Sequence, residues 1–208
     1  MNIVLIGIQG SGKGTQAKLL HEKFGWQHIT TGDLFRRNLE QGTEVGLKAK
    51  AYMDRGELVP DEFVYQIVRN ALIEAANGFI LDGFPRNLEQ SDFLQNNIHL
   101  DKAVLLELSD EKAIERITSR RNCENCKKDY NLLFKKPKVE GIWDDCGGRI
   151  VQREDDNEAA ISKRIEKFHL ETKAVIEANR KLGKLVVVNA DQPVLEIHRE
   201  IVGKLNLS

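Results

Sequence analysis

Short apolar runs alternate with helical patterns along most of the chain. Runs of this kind, apolar on both faces, are typical of strands buried in a parallel sheet. They lie at residues 2–6, 79–81, 103–108 and 184–188, with a weaker one at 27–30. Helical periodicity is found at residues 13–24, 61–76, 87–97, 110–118, 157–182 and 193–205, with Asp61 and Asp110 where an N-cap belongs. The alternation predicts an α/β fold, a doubly wound parallel five-stranded sheet with helices on both faces.

Two segments interrupt this alternation. Residues 30–59 contain helical patterns without an intervening strand, and residues 119–156 are rich in Cys, Gly, Lys and Asp without long apolar periodicity. Both are expected to be insertions that leave and rejoin the core. The predicted division is therefore a core of residues 1–29, 60–118 and 157–208, with one insertion at 30–59 and another at 119–156.

A glycine-rich run, Gly-Ile-Gln-Gly-Ser-Gly-Lys-Gly-Thr, occupies residues 7–15 between the first predicted strand and a predicted helix. Glycines let backbone N–H groups turn toward an anion, and the helix start adds partial positive charge. Lys13 supplies a charge for the outer phosphates, but Gly14 follows it where a hydroxyl residue is usual, so a direct hydroxyl contact to a metal ion is expected to be lost. The run predicts a nucleotide phosphate site. Its residues are Gly10, Ser11, Gly12, Lys13, Gly14 and Thr15.

Composition narrows the class of partner. The 208 residues carry a net charge of −1, with 41% hydrophobic, 30% charged and 6% aromatic residues. Such a chain offers no overall field for nucleic acid or an anionic membrane. No run approaches the ~18 apolar residues of a membrane span, and the N-terminal apolar run is too short for a signal peptide. The odd count of three cysteines argues for a reducing compartment, so a cytoplasmic location is expected.

A second motif, Asp82-Gly83-Phe84-Pro85-Arg86, follows a predicted strand. It therefore lies at the carboxyl edge of the sheet, where open α/β folds bind ligands. Asp82 suits the water shell of Mg²⁺, and the Arg86 guanidinium can bind phosphate in a fork geometry. The Phe84–Pro85 pair makes a rigid turn suited to packing against a base. The alternative is a plain strand-to-helix turn with a solvated arginine.

With these motifs, Thr30-Thr31-Gly32-Asp33-Leu34-Phe35-Arg36 resembles the monophosphate-site signature of nucleoside monophosphate kinases. When residues 119–156 are added, the chain is similar to the long-lid adenylate kinases from end to end. The resemblance implies reversible phosphoryl transfer from Mg²⁺-bound ATP to AMP, giving two ADP. It also implies a monomer whose partners are the small molecules ATP, AMP and ADP, an NMP-binding insertion at 30–59 and a lid at 119–156.

The resemblance assigns an acceptor site. Its members bind the AMP phosphate or line the pocket of the base, where the amide of Gln90 can pair with adenine N6 and N1. The AMP residues are Thr31, Gly32, Arg36, Glu57, Leu58, Val59, Gly83, Phe84, Pro85, Arg86, Gln90, Arg153 and Arg164.

The resemblance also assigns a donor site and a set of catalytic cations. Arg116 and Arg120 are four positions apart, so we expect them to share a helix face; the alternative is a solvated cationic surface. Asp155 and Asp156 match hinge carboxylates that pair with arginines. The ATP residues, besides the glycine-rich run, are Arg116, Arg120, Asp129, Tyr130 and Gln192; the catalytic residues are Lys13, Arg86, Arg120, Arg153 and Arg164.

The cysteines depart from the zinc-bearing members of this family. Cys123 and Cys126 form one pair and Cys146 half of a second, whose other position is Trp143, a residue that cannot bind metal. Three thiolates completed by Asp144, Asp145 or water would still suit Zn²⁺. The other reading is a decayed site held by apolar packing. We expect weak or absent structural zinc.

Two other functions stay open at this point. One is an AMP kinase that uses GTP as its donor, since the donor base is read through less distinctive contacts. The other is a zinc-ribbon nucleic-acid module on a nucleotide switch, which the neutral charge and low aromatic content disfavour.

Overall fold

The computed structural model describes residues 1–55, 57, 59–73, 75, 77–126, 128–134, 136–153 and 156–207. The strands, in chain order, are β1 (Asn2–Ile6), β2 (Gln27–Thr30), β3 (Phe79–Asp82), β4 (Lys102–Glu107), β5 (Arg120–Cys123), β6 (Asp129–Asn131), β7 (Ile150–Val151) and β8 (Leu185–Asn189). A five-stranded sheet with the order β2-β3-β1-β4-β8 lies at the centre, and its paired neighbours are parallel. The predicted α/β class and parallel five-stranded sheet are confirmed.

Helices connect these strands and cover the sheet. They are α1 (Lys13–Phe24), α2 (Thr31–Glu40), α3 (Glu44–Asp54), α4 (Asp61–Ile73), α5 (Leu88–Asn97), α6 (Asp110–Thr118), α7 (Glu158–Lys167), α8 (Lys173–Lys181) and α9 (Val194–Lys204). None of these helices combines the length and apolarity that a bilayer crossing requires, as far as the described residues go.

Alternation along β1 builds a core on each face of the sheet. Ile3 and Leu5 belong to an apolar cluster with Leu20 of α1, whereas Val4 and Ile6 belong to the cluster on the opposite face. This is the two-residue side-chain period of a strand that is buried on both sides. The continuous apolar runs in the sequence are explained by this double burial.

Differences from the predicted elements are local. A π-helical segment, Phe168–Thr172, joins α7 to α8 within the predicted helix 157–182. Asp110 is the first residue of α6 rather than its N-cap, because the Ser109 hydroxyl caps the helix by accepting from the Lys112 amide. Asp61 likewise begins α4, and its carboxylate serves another contact described below. The predicted C-terminal turn of α4 reaches residues 74 and 76, which lie outside the described residues.

Both predicted insertions have their own secondary structure. Helices α2 and α3 pack closely, since a Cβ at Gly46 would lie 2.3 Å from the carbonyl carbon of Asn38. The second insertion forms a three-stranded antiparallel sheet in the order β6-β5-β7. A small core of Cys123, Tyr130, Trp143 and Ile150 lies against it. The subdomain boundaries at 30–59 and 119–156 stay predictions.

Candidate active site

A cavity of about 830 Å³ lies where the glycine-rich loop, both insertions and the start of α9 meet. Parallel register brings the carboxyl ends of neighbouring strands together, with Leu5 and Thr30 both opposite Asp82. Most predicted site residues line this cavity: Gly10, Ser11, Gly12, Lys13, Gly14, Thr15, Thr31, Gly32, Arg36, Glu57, Val59, Asp82, Gly83, Pro85, Arg86, Gln90, Arg116, Arg120, Asp129, Tyr130, Arg153, Arg164 and Gln192.

One predicted AMP residue, Phe84, is placed differently. Phe84 is 1% exposed and is not among the residues that line the cavity. Its ring packs edge-on against Tyr65 and Phe93 in the core. Phe84 thus supports the wall of the site from behind. Leu58 lies outside the described residues.

The glycine-rich loop has the backbone of an anion cradle. Gly10 and Gly12 have φ values of 86° and 91°, in the left-handed region that favours glycine. A Cβ on Gly10 would lie 2.8 Å from the carbonyl oxygen of Ala113, so the loop also packs tightly against α6. The buried Ser11 hydroxyl has no hydrogen-bond partner among the residues that the structure describes, and α1 starts at Lys13. Together these features suit a phosphate group.

Lys13 is held inside the curve of this loop. Its Nζ donates to the carbonyl oxygens of Gly7 at 2.8 Å and Ile8 at 3.0 Å. Burial lowers the pKa of Lys13 to about 8, with Asp82 opposing that shift. A nearby phosphate would strongly stabilise the charged form of this poorly solvated ammonium, because an opposite charge offsets the cost of desolvation.

Asp82 ends β3 beside the loop, where a hydrated Mg²⁺ would be held. Burial alone raises the pKa of Asp82, but contact with His28 (Nε2 3.9 Å from Oδ2) and the charge of Lys13 outweigh it, so the pKa lies below its usual range. Asp82 is therefore an ionised carboxylate at neutral pH. A Cβ on Gly14 would be only 3.5 Å from Asp82 Oδ2, and the glycine leaves that side of the carboxylate open. This oxygen donor fits Mg²⁺ bound through water.

Cationic side chains converge on the side of the cavity where AMP is predicted to bind. The Nε of Arg86 donates to the Gly83 carbonyl at 2.8 Å, and the Arg36 guanidinium pairs with Asp33. Burial, and then the neighbouring charge of Arg164, lower the pKa of Arg86. Like charges gathered at a buried position repel each other, so a dianionic phosphate among them relieves that cost.

The predicted acceptor base pocket contains buried polar groups. Thr31 is 4% exposed and donates through Oγ1 to the Gly83 carbonyl at 3.0 Å. Gln90 is 2% exposed and its amide contacts Asp61, which the sequence indicated only as a helix cap. The predicted contacts of Thr31 and Gln90 with a purine stay predictions.

Two arginines of the predicted lid, Arg120 and Arg153, and Arg164 of α7 lie beside acidic residues. Arg120 donates to buried Asp156 through Nε at 2.8 Å and Nη2 at 2.5 Å, and Arg164 Nη1 lies 3.7 Å from the same carboxylate. Arg153 donates to Asp129 at 2.6 Å. The pairing of Asp156 with an arginine agrees with the predicted hinge contact, whereas Asp155 lies outside the described residues.

Arg116, a predicted donor-site residue, lines the cavity, and its guanidinium lies over the Phe134 ring at 5.4 Å. The prediction that Arg116 and Arg120 share a helix face is wrong, because α6 ends at Thr118 and Arg120 begins β5. Tyr130 lines the cavity but packs edge-on against Trp143 at 4.8 Å, as part of the lid core. Gln16 was not predicted from the sequence. This buried residue donates through Nε2 to the Val194 carbonyl at 2.9 Å, which ties α1 to the start of α9.

The three cysteines lie together in the second insertion, the predicted lid. Their Sγ atoms all lie within 4.8 Å of one another, and those of Cys123 and Cys146 are 3.4 Å apart. Among the described residues, no imidazole or carboxylate joins this group as a fourth ligand, and Asp144 accepts from the backbone amide of Lys138 instead. Structural zinc is almost always four-coordinate, so the protein side chains present here fit only three of its ligand positions.

The fold and cavity define a P-loop phosphotransferase of the nucleoside monophosphate kinase type. Comparison with known proteins identifies the family. The profile of the adenylate kinase family matches residues 5–184. The chain is 44% identical over 214 residues to an adenylate kinase of Ruminiclostridium cellulolyticum, covering 100% of both chains. It is 44% identical to one of Clostridioides difficile over 99% of this chain and 98% of the relative, and 40% identical to one of Staphylococcus aureus over 99% of both. This chain belongs to the adenylate kinase family.

Proposed function

We propose that this protein catalyses reversible transfer of the terminal phosphoryl group of Mg²⁺-bound ATP to AMP, giving two ADP. The observation that carries the proposal is one cavity that joins the Lys13 cradle to a cluster of guanidinium groups from separate segments. Phosphoryl transfer depends mainly on positioning and charge stabilisation, so this arrangement needs no acid–base residue.

Each cation has a distinct place in the proposed reaction. Lys13 and the loop amides bind the donor phosphates, and Arg36 and Arg86 orient the acceptor phosphate in line. Arg120, Arg153 and Arg164 stabilise the charge that spreads over the transferred group.

Asp82 would hold Mg²⁺ through its water shell, and the ion would supply positive charge against the phosphates of ATP. In many P-loop proteins the residue after the lysine is Ser or Thr, and its hydroxyl binds Mg²⁺ directly. Gly14 has no hydroxyl, so in this chain the ionised Asp82 carboxylate is the proposed contact to the ion.

The two insertions are proposed to exclude water. A phosphoryl group that water reaches is lost to hydrolysis, so residues 30–59 close over AMP and residues 119–156 over ATP before transfer. The small lid core packs Trp143 and Ile150 together, which gives this segment the stiffness to move as one piece.

Replacement of Lys13 tests the proposed function. Lys13→Met keeps the apolar stem and removes the charge, so we expect normal folding and at least about a 100-fold loss of ADP formation from ATP and AMP. Lys23→Met is the matched control, because this exposed lysine belongs to the same helix and lies outside the cavity. Activity of Lys13→Met near that of the unmodified protein would refute the assignment.

The donor base and the wider setting are further parts of the proposal. Coupled assays with ATP, GTP and UTP against AMP, GMP, CMP and UMP would separate an ATP-dependent enzyme from a GTP-dependent AMP kinase. We also propose a cytoplasmic monomer without nucleic-acid partners. Filter binding with RNA and single-stranded DNA at physiological salt tests the last point, and retention of either would count against it.

A further inference from the structure

We propose that Asp61 is a positioning residue that sets base selectivity at the acceptor site by fixing the amide orientation of Gln90. The proposal rests on the function given above, because it takes Gln90 as the residue that meets the acceptor base. Asp61 itself begins α4 and acts on the base only through Gln90.

The orientation of the Gln90 amide follows from its two protein contacts. The backbone N–H of Arg86 lies 2.8 Å from Oε1 of Gln90. A backbone amide can only donate, so the side-chain atom that faces it must be the oxygen. On the other side Nε2 donates to Oδ1 of Asp61 at 2.6 Å, and an ionised carboxylate can only accept.

Asp61 is fixed by a second amide. The other oxygen, Oδ2, accepts from Nδ2 of Asn87 at 3.2 Å. Asn87 cannot reverse its own amide, because its Oδ1 caps α5 by accepting from the Gln90 backbone N–H at 2.8 Å. Position 61 must therefore present an acceptor to two amide donors, and its Oδ2 also accepts from the Tyr65 hydroxyl at 3.5 Å. A carboxylate does this, whereas an asparagine would turn an NH₂ group toward one of them.

The fixed amide leaves one N–H and one oxygen lone pair of Gln90 for a ligand. Adenine offers a donor at N6 and an acceptor at N1, which matches that pair. Guanine and hypoxanthine offer an acceptor at position 6 and a donor at N1, so they require the reversed amide. Reversal would place Oε1 against the Asp61 carboxylate and Nε2 against the Arg86 N–H, two clashes in a buried pocket.

The experiment compares Asp61→Asn with Glu62→Gln. Both remove a carboxylate from the first turn of α4, but Glu62 is exposed and is not part of the Gln90 network. With saturating Mg²⁺-ATP, kcat and KM are measured for AMP, GMP and IMP. For Asp61→Asn we expect the KM for AMP to rise at least about tenfold, in the range set by loss of a buried hydrogen bond, with kcat changed little. The ratio of kcat/KM for AMP over GMP should fall at least about tenfold, and the KM for ATP should not change.

Two outcomes would overturn the proposal. One is an unchanged AMP-over-GMP ratio in a folded Asp61→Asn protein. The other is an equal loss with all acceptors together with a raised KM for ATP, since that marks general damage to α4. If Asp61→Asn does not fold, Asn87→Ser keeps an oxygen to cap α5 and removes the amide that fixes Asp61, so a smaller shift of the same ratio is expected. No ADP from ATP and AMP with the unmodified protein would instead contradict the proposed function itself.

Discussion

Asp156, the last residue of the predicted lid, contacts Arg120 at the start of the lid and lies near Arg164 of α7 in the core, which predicts how the two ends of the lid are anchored. Asp156 is 1% exposed, and its two oxygens accept from Arg120 Nη2 at 2.5 Å and Nε at 2.8 Å. Arg164 Nη1 lies 3.7 Å from the same carboxylate. Asp156→Asn keeps the shape of the side chain but removes the charge that these two cations share.

The expected loss of folding stability in Asp156→Asn follows from the burial of the ion pair. Removing one partner of a buried ion pair costs about 3–5 kcal/mol, since the remaining charge stays poorly solvated. The Arg120 and Arg164 side chains are 20% and 16% exposed, so water can partly solvate their charges after the carboxylate is removed. The lower end of the range, about 3 kcal/mol, therefore applies. For a chain of this length that corresponds to a fall in Tm of about 6–12 °C.

Thermal unfolding followed by circular dichroism measures the whole chain, and Trp143 fluorescence in a Trp26→Phe background reports on the lid. Both signals should move to lower temperature, with the lid signal moving at least as far. Glu44→Gln is the control, because the Glu44 side chain is 80% exposed and pairs with Lys48 on a helix surface, where screening by water leaves the pair little effect on stability. A Tm of Asp156→Asn that matches the control would refute the argument that this carboxylate anchors the lid.

Three other predictions follow from the site. The kcat/KM for ATP should fall above a pH of about 8, because the pKa of Lys13 is about 8 and its charge is lost as the pH rises; a profile flat to pH ~10, near the ordinary lysine pKa, would contradict this. Metal analysis of protein purified without chelator should find well below one zinc per chain, and one tightly held zinc would show that water or another group completes the three thiolates. Gly10→Ala should destabilise the fold and raise the KM for ATP more than Gly25→Ala, since both glycines have positive φ but only Gly10 has a carbonyl 2.8 Å from the added Cβ. Equal effects would show that backbone strain alone matters.

Much of the core was predictable because its physical causes are local. Strands buried on both faces must be apolar throughout, which makes β1 and β3 visible as short continuous runs. The glycines of the phosphate loop are also a local signal, since the left-handed backbone at Gly10 and Gly12 excludes most other residues. Helix starts were less reliable: Ser109 and Asp110 are both good caps, and only the structure shows that the serine is used.

The connections between site residues were not predictable, since they join distant parts of the chain. Gln16 bonds to the Val194 carbonyl across 178 positions, and Gln90 bonds to Asp61 across 29. No pattern in a single sequence encodes such a pair. An acidic residue at a helix start is already explained by its interaction with the helix dipole. There was therefore no reason in the sequence to expect that Asp61 also contacts Gln90.

The ion pairs around the cavity divide its arginines into two groups. Asp33 and Asp129, which pair with Arg36 and Arg153, have side chains 51% and 57% exposed, whereas the Asp156 side chain is fully buried. Exposed pairs are worth about 1 kcal/mol or less, so a phosphate can take over those two guanidinium groups at small cost. Asp156 holds Arg120 more firmly, because moving Arg120 away would leave the buried Asp156 carboxylate with less neighbouring positive charge. Substrate binding is therefore expected to redirect Arg36 and Arg153 while Arg120 stays anchored, so that a phosphate must approach Arg120 where it stands.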